Sequence, residues 1–255
     1  MRILLVNDDG IGAEGIRALF DALRGDNEII VAAPSENQSG MAHAITFKRR
    51  IEIERCDSLF DGARETWKIH GTPTDCVKLY LEAMCDAGEK PDLVISGINR
   101  GANLGTDVLY SGTVSAAMEG YMHGISSFSV SLDVKSRLSY GEVALSVRKA
   151  IPDFFARFGK FFLLNLNYPV EYRDGVPRFA VSTVGHRDYL NAFQRIEENG
   201  KVFYYMDGEI YDFDNSRDTD IEKTGEGYIA VTPIDLDMTD YKKYNEIGRN
   251  LIWTL

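Results

Sequence analysis

Two adjacent carboxylates, Asp8 and Asp9, stand between an apolar run and three glycines in RILLVNDDGIGAEGIRALF, where Gly10, Gly12 and Gly15 have the spacing GxGxxG. Two chemistries compete for this stretch. A strand over Ile3 to Val6, a glycine turn, and a helix with Ile16, Leu19, Phe20 and Leu23 on one face suit a dinucleotide-binding loop. A cofactor pyrophosphate, however, is held by backbone N–H groups and a helix N-terminus, and two aspartates at the lip of the turn repel it unless a cation intervenes. The acid that binds the ribose belongs about 20 residues further on, at the end of the second strand. There EIIVAAPSENQSG supplies Ala32, Ala33 and Pro34. Adjacent carboxylates repel one another at a cost that a cation or a proton relieves, so the pair points to metal chemistry.

The remainder of the chain supplies a scaffold for that pair. Up to about residue 135, RILLVN, EIIVAAP, PDLVISG and ISSFSVSL read as strands buried on both faces. They alternate with the helix after Gly12, TPTDCVKLYLEAM and GTVSAAMEGYMHG. The pattern predicts an α/β fold with a mostly parallel sheet flanked by helices. ITFKRRIEIERC and WKIHG interrupt the series and read as peripheral hairpin strands. YGEVALSVRKAIPDFFARF reads as a further helix despite Pro152, and FFLLNLNYP as a further strand. Beyond Pro169, short strands and turns take over: FQRIEENGKVFYYMDG is a hairpin turning at Asn199-Gly200, and EGYIAVTPIDLDMTDYKKYNEIG is a strand and a closing helix. Two regions are expected, a core over residues 1–170 and a C-terminal region over 171–255 that completes the fold.

A chain of 255 residues, 44% of them apolar, can bury a large core. Its formal net charge of −11 argues against a nucleic-acid polymer or an anionic membrane as partner. A small anionic substrate then needs a locally positive site, built from a metal ion or helix dipoles. No apolar run reaches the about 18 residues of a membrane span, and no signal peptide is legible, so a cytoplasmic protein is expected. Cys56, Cys76 and Cys85 are odd in number and lack paired ligand spacing, which speaks against a disulfide framework or a zinc site.

In an open parallel sheet, ligands bind beyond the carboxyl ends of the strands, near the point where strand order reverses. Asp8 and Asp9 follow the first strand, Ser35 to Gly40 the second, and Asn99 and Asn103 of SGINRGANLG follow PDLVISG, which places all of them on one edge. Carboxylates, a hydroxyl and amide carbonyls are hard oxygen donors suited to Mg²⁺ or Mn²⁺. His43, His70, His123 and His186 are too scattered to suggest a histidine-rich metal site. The loop GINRGANLGTDVLYSGTVSAAMEG enters a helix near Ser111 to Thr113, whose backbone N–H groups and hydroxyls suit a phosphate at the positive end of the helix. Taken singly, each residue has a plainer role: Asp8, Asp9, Ser111 and Thr113 as helix caps, Ser39 as a loop hydroxyl, Asn99 and Asn103 as turn residues. Only the joint pattern, a metal beside a phosphate site, implies phosphoryl chemistry.

At these residues the sequence resembles the SurE survival-protein nucleotidases. The resemblance rests on NDDG, APSENQSG, GTPTDCVKL, PDLVISGINRGANLG and YSGTVSAAMEG, with weaker agreement around EGYIAVTPI, and spans most of the chain. It implies a divalent-metal-dependent phosphatase that cleaves nucleoside 5′-monophosphates, often 3′-nucleotides, and in some members short polyphosphate. Asp8, Asp9, Ser39 and Asn99 become the ligands of one Mg²⁺ or Mn²⁺ per subunit, and Asn103, Ser111, Gly112 and Thr113 the phosphate contacts. The implied fold is Rossmann-like, with residues 1–170 as its catalytic core, and adds a C-terminal β-hairpin extension and a tail exchanged between the subunits of a homodimer, sometimes paired into a homotetramer. For catalysis, the expectation is attack by water, with the less directly ligating member of the Asp8–Asp9 pair as base; a phospho-aspartyl intermediate is the alternative. Two other classes compete, a dinucleotide-dependent oxidoreductase using the glycine triplet and a non-catalytic nucleotide or metal sensor. Phosphate release separates them.

Overall fold

Unbroken apolar runs become strands covered on both faces, and amphipathic runs become the helices that cover them. In the computed structural model, which describes residues 1–86, 88–212 and 217–248, the chain begins β1 (Arg2–Val6), α1 (Glu14–Leu23), β2 (Glu28–Pro34), β3 (Ile53–Arg55), β4 (Glu65–Ile69), α2 (Pro73–Leu79) and β5 (Leu93–Arg100). It continues with α3 (Gly112–Met122), β6 (Ser126–Leu132), α4 (Tyr140–Phe158), β7 (Leu163–Tyr168), β8 (Phe179–Val181), β9 (Asp188–Leu190), β10 (Phe193–Glu198) and β11 (Lys201–Met206). The last elements are β12 (Glu209–Tyr211), α5 (Asp220–Gly225), β13 (Ile229–Pro233) and α6 (Tyr241–Ile247).

Nine strands form one sheet in the order β3-β4-β2-β1-β5-β6-β7-β13-β8. The strands from β4 to β7 run parallel, whereas β3 and β13 pair antiparallel with β4 and β7. From β1 the chain builds outward to β2 and β4, then returns to lay β5 on the other side. The switch in strand order therefore lies between β1 and β5, the place where such sheets bind ligands. Helices α1 and α4 cover one face with Ile16, Leu19, Phe20, Val143, Val147 and Phe154. The other face packs Cys76 and Val77 of α2 and Ala116 of α3. Each fully buried large side chain contributes roughly 1.5–3 kcal/mol. Among the described residues, no helix is long and apolar enough to cross a membrane.

Gly10 and Gly15 of the glycine triplet have a purely structural explanation. Gly10 turns the chain at φ +98°, and a Cβ on Gly15 would stand 2.0 Å from Ile98 O, so α1 lies against the β5 backbone. Their spacing serves the strand-turn-helix junction with or without a cofactor.

Two stretches differ from the pattern expected of them. Of ITFKRRIEIERC only Ile53–Arg55 is a strand, and its antiparallel partner β4 belongs to the main sheet beside β2. The preceding segment is held instead by irregular bonds: Thr46 donates through N and Oγ1 to Asp75, and Thr72 Oγ1 donates to Ala44 O. The helix over TPTDCVKLYLEAM starts on a Thr72–Asp75 capping box with Pro73 in its first turn, then widens to a π-helical turn over Tyr80–Met84. C-terminal strands β8 and β13 complete the main sheet. By contrast, β10 and β11 form a separate exposed hairpin, with Asn199 and Gly200 both at positive φ as a tight primed turn requires.

Candidate functional site

β1 delivers Asp8 to the switch point and α3 meets it there. The Asp8 side chain is only 4% exposed, and it accepts a hydrogen bond from Thr113 Oγ1. Burial raises its carboxyl to about 6; the Thr113 bond opposes the rise and the neighbouring Asp9 charge adds to it. Asp9 is half-buried and accepts from Arg100 N at 3.1 Å and Asn37 Nδ2 at 3.3 Å. Its carboxyl is also raised by burial, partly offset by the Arg100 N–H and guanidinium. Asn7 Nδ2 donates to Gly10 O and closes the turn beneath the pair.

Ser39 belongs to the loop after β2, exposed at the cavity rim. Gln38 N donates to Asp8 O at 2.7 Å and Ala42 N to Tyr110 O at 3.0 Å, which spans this loop from β1 to the glycine-rich loop. Asn99 lies at the end of β5. There a bulge between Gly97 and Asn99 sets Asn99, rather than Ile98, opposite Ser131. Bulges of this kind re-aim side chains beside active sites. The Asn99 amide is oriented by donating from Nδ2 to Gly101 O at 2.8 Å.

Asn103 is fixed at four points. Its N–H donates to Asn167 Oδ1, its carbonyl accepts from Asn165 Nδ2 and Asn167 Nδ2, and its own Nδ2 donates to Ser131 Oγ. Asn165 and Asn167 are fully buried on β7, where an unpaired amide would cost about 1–3 kcal/mol. In the sequence FFLLNLNYP marks a strand without marking these two as site residues; their signal is two amides at alternate positions in a run otherwise suited to burial on both faces. Ser111 caps α3 by accepting from Val114 N at 3.0 Å. Gly112, the first residue of α3, sits tightly against Pro73 and Asp8, since a Cβ there would lie 3.1 Å from Pro73 Cγ and 3.2 Å from Asp8 Cβ.

Asp8, Ser39, Asn99, Asn103 and Ser111 line one cavity of about 660 Å³. Asp9, Gly112 and Thr113 stand beside Asp8 without lining it; the buried Thr113 hydroxyl is directed to Asp8. His186, Arg187, Asp188, Tyr189, Ala192 and Met206 form a further wall. In this wall Arg187 pairs with Asp212 through two 2.8 Å bonds and reaches Asp107 at 3.3 Å, while Tyr189 Oη donates to Asp107 at 2.8 Å. Asp107, Arg187 and Tyr189 lacked any motif that marked them in the sequence, because the partners are about 80 residues apart.

The donor set at the switch point fits a hard divalent cation: two adjacent carboxylates, one nearly buried, with a hydroxyl and an amide carbonyl from two further loops. A bound cation would relieve the cost of keeping Asp8 charged in this position. Another acidic group, Glu82, Glu119 and His123 on the α2–α3 side, converges closely, but Lys78 Nζ already stands 2.7 Å from Glu82 and 3.2 Å from Glu119. That ammonium supplies the positive charge locally. His43 and His70 pair with Glu119 and Glu54, both at 2.9 Å. A larger cavity of about 750 Å³ lies between α1 and the start of α4 and shares Arg100 with the first. It contains neither Asp8 nor the asparagines, so the smaller cavity is the one with the chemistry.

The sequence profile of the family described as Survival protein SurE matches residues 3–191. The 5′-nucleotidase SurE of Pelotomaculum thermopropionicum is 44% identical over 245 residues, covering 95% of this chain and 92% of that protein. Its counterpart in Gloeobacter violaceus is 41% identical over 250 residues, covering 94% and 91%. Among solved structures, the SurE protein from Aquifex aeolicus superposes with a TM-score of 0.81 at 34% identity, covering 97% of this chain and 98% of that one.

Proposed function

Because the chain belongs to the SurE survival-protein family, we propose that it is a 5′-nucleotidase, a metal-dependent phosphatase that hydrolyses nucleoside 5′-monophosphates to nucleoside and phosphate. The observation that carries this reading is a single cavity at the sheet's switch point with a buried carboxylate, Asp8, beside the N-terminus of α3. Asp8, Asp9, Ser39 and Asn99 would hold one Mg²⁺ or Mn²⁺. When bound, such an ion polarises phosphoryl oxygens and offsets the charge of the attacking oxygen.

The chain's own groups account for the remaining work. Asn103, Ser111 and the N–H groups of Gly112 and Thr113 receive the phosphate, favoured by the positive end of α3 in a chain of net charge −11. A carboxylate of the Asp8–Asp9 pair takes the proton from the attacking water. The buried asparagines behind Asn103 keep the loop from shifting as charge moves onto the leaving oxygen. The same site is open to 3′-nucleotides and short polyphosphate. We further read the protein as a cytoplasmic homodimer, or a homotetramer, with the exposed β10–β11 hairpin, including Phe193, Tyr204 and Tyr205, as contact surface. Exchange of the tail after Val231 belongs to the same reading, although residues 249–255 lie outside the described structure.

The test is phosphate release from 5′- and 3′-nucleoside monophosphates, short polyphosphate and NAD as a control, with Mg²⁺, Mn²⁺ or EDTA. Metal-dependent release from 5′-monophosphates is expected. Binding of nucleotides without turnover would favour a sensor, and tight NAD binding without metal an oxidoreductase.

A further inference from the structure

The glycine-rich loop is fastened to the C-terminal part of the chain by a concentrated set of polar ties. Asp220, fully buried at the start of α5, accepts from Gly105 N and from Gly185 N, both at 2.9 Å. Thr106 Oγ1 donates to Arg187 O. Arg187, whose side chain is 8% exposed, spends Nε and Nη2 on Asp212 and Nη1 on Asp107, and Tyr189 Oη joins it on Asp107. One end of this network lies in the loop that presents Asn103 and Ser111. The other lies in the wall that closes the same cavity with His186, Tyr189, Ala192 and Met206.

The lining of the cavity combines two kinds of surface. Asp8, Asn103 and Ser111 are polar, whereas Tyr189, Met206 and Ala192 supply an aromatic ring, a thioether and a methyl group, a surface suited to the flat face of a base. We propose that Arg187 is a positioning residue that latches this wall to the glycine-rich loop through Asp107 and Asp212, and so sets how firmly the nucleoside portion of the substrate is held. This rests on the nucleotidase reading above. Arg187 need not touch substrate, because the five N–H donors of a guanidinium match two carboxylates at once and the pairing here is bidentate on Asp212. A lysine keeps the charge and loses that geometry.

The test compares the intact protein with Arg187→Lys, Asp212→Asn and Tyr189→Phe on two substrates, a nucleoside 5′-monophosphate and a short alkyl phosphate that ends before the wall. The readouts are KM and kcat separately, with a thermal melt of each variant. Asp212→Asn and Tyr189→Phe are the milder changes and serve if Arg187→Lys folds poorly. The expected result is a KM for the nucleotide raised by about tenfold to a hundredfold, with a much smaller effect on the alkyl phosphate and the mildest loss in Tyr189→Phe. Equal losses on both substrates, or none, would overturn the latch. Intact protein that cleaves neither ester overturns the phosphatase reading and the latch with it.

Discussion

Asp8 is a charge kept in a place that disfavours charge. Burial raises its carboxyl from 3.8 to about 6, so in the metal-free protein the folded state holds the Asp8 proton more tightly than the unfolded chain does. Well below pH 4 both states are protonated and the group contributes nothing; between about 3.8 and 6 the unfolded chain releases its proton first and the folded state pays a growing penalty, complete above 6. Asp8→Asn removes the charge and keeps an acceptor for Thr113. In EDTA the variant is therefore expected to be more stable than the native protein by up to roughly 3 kcal/mol at pH 7, with the difference vanishing well below pH 4; urea unfolding at several pH values measures it. A variant less stable at pH 7 would contradict the account. Divalent cation should raise the melting temperature of the native protein and not that of Asp8→Asn. At this scale NDDG was legible by itself, whereas Ser39, Asn99 and Asn103 became candidates only through the joint pattern and the family resemblance. Asn165, Asn167, Arg187 and Asp107 did not, because their importance lies in partners that only the fold brings near.

Elements meet the site where backbone approaches backbone. Helix α1 can lie on β5 only because position 15 has no side chain; a Cβ there falls 2.0 Å from Ile98 O. Gly15→Ala must push the helix away, at a cost of about 1–3 kcal/mol or more. The displacement falls on the Asp8–Gly12 turn and on Asn99, the next residue after Ile98. Thermal melts should show the destabilisation, and activity below the melting point should also fall. Unchanged stability would show that α1 and β5 are not in contact as described. The GxGxxG spacing suggested a cofactor loop for the same geometric reason, since both need a tight strand-to-helix turn. Buried strands and amphipathic helices were readable from their apolar periods. The irregular segment before Ile53 was not, because Thr46 is held by the Asp75 side chain of α2 rather than by a sheet partner.

For the molecule as a whole, the order of strands gathers loops from residues 8, 39, 99 and 111 onto one edge, and two C-terminal strands are needed to finish the sheet that carries them. The α/β class followed from alternation along the chain; the insertion of β13 between β7 and β8 did not, since long-range pairing leaves no local trace. The exposed hairpin bears Phe203, Tyr204, Tyr205 and Met206 on a protein whose charge of −11 otherwise keeps copies apart. Replacing Phe203 and Tyr205 with glutamate should convert a dimer to monomer by light scattering, and an unchanged dimer would remove the hairpin from the interface. Metal-dependent phosphate release at Asp8 is the property from which the rest follows. The measurement that tests it is phosphate release from a nucleoside 5′-monophosphate by the native protein and by Asp8→Asn, each with Mn²⁺ or Mg²⁺ and with EDTA. Because the variant is expected to be at least as stable, loss of activity cannot be ascribed to unfolding. The account predicts metal-dependent release by the native protein and a loss of about a hundredfold or more in the variant; equal release by both, or release that persists in EDTA, would contradict it.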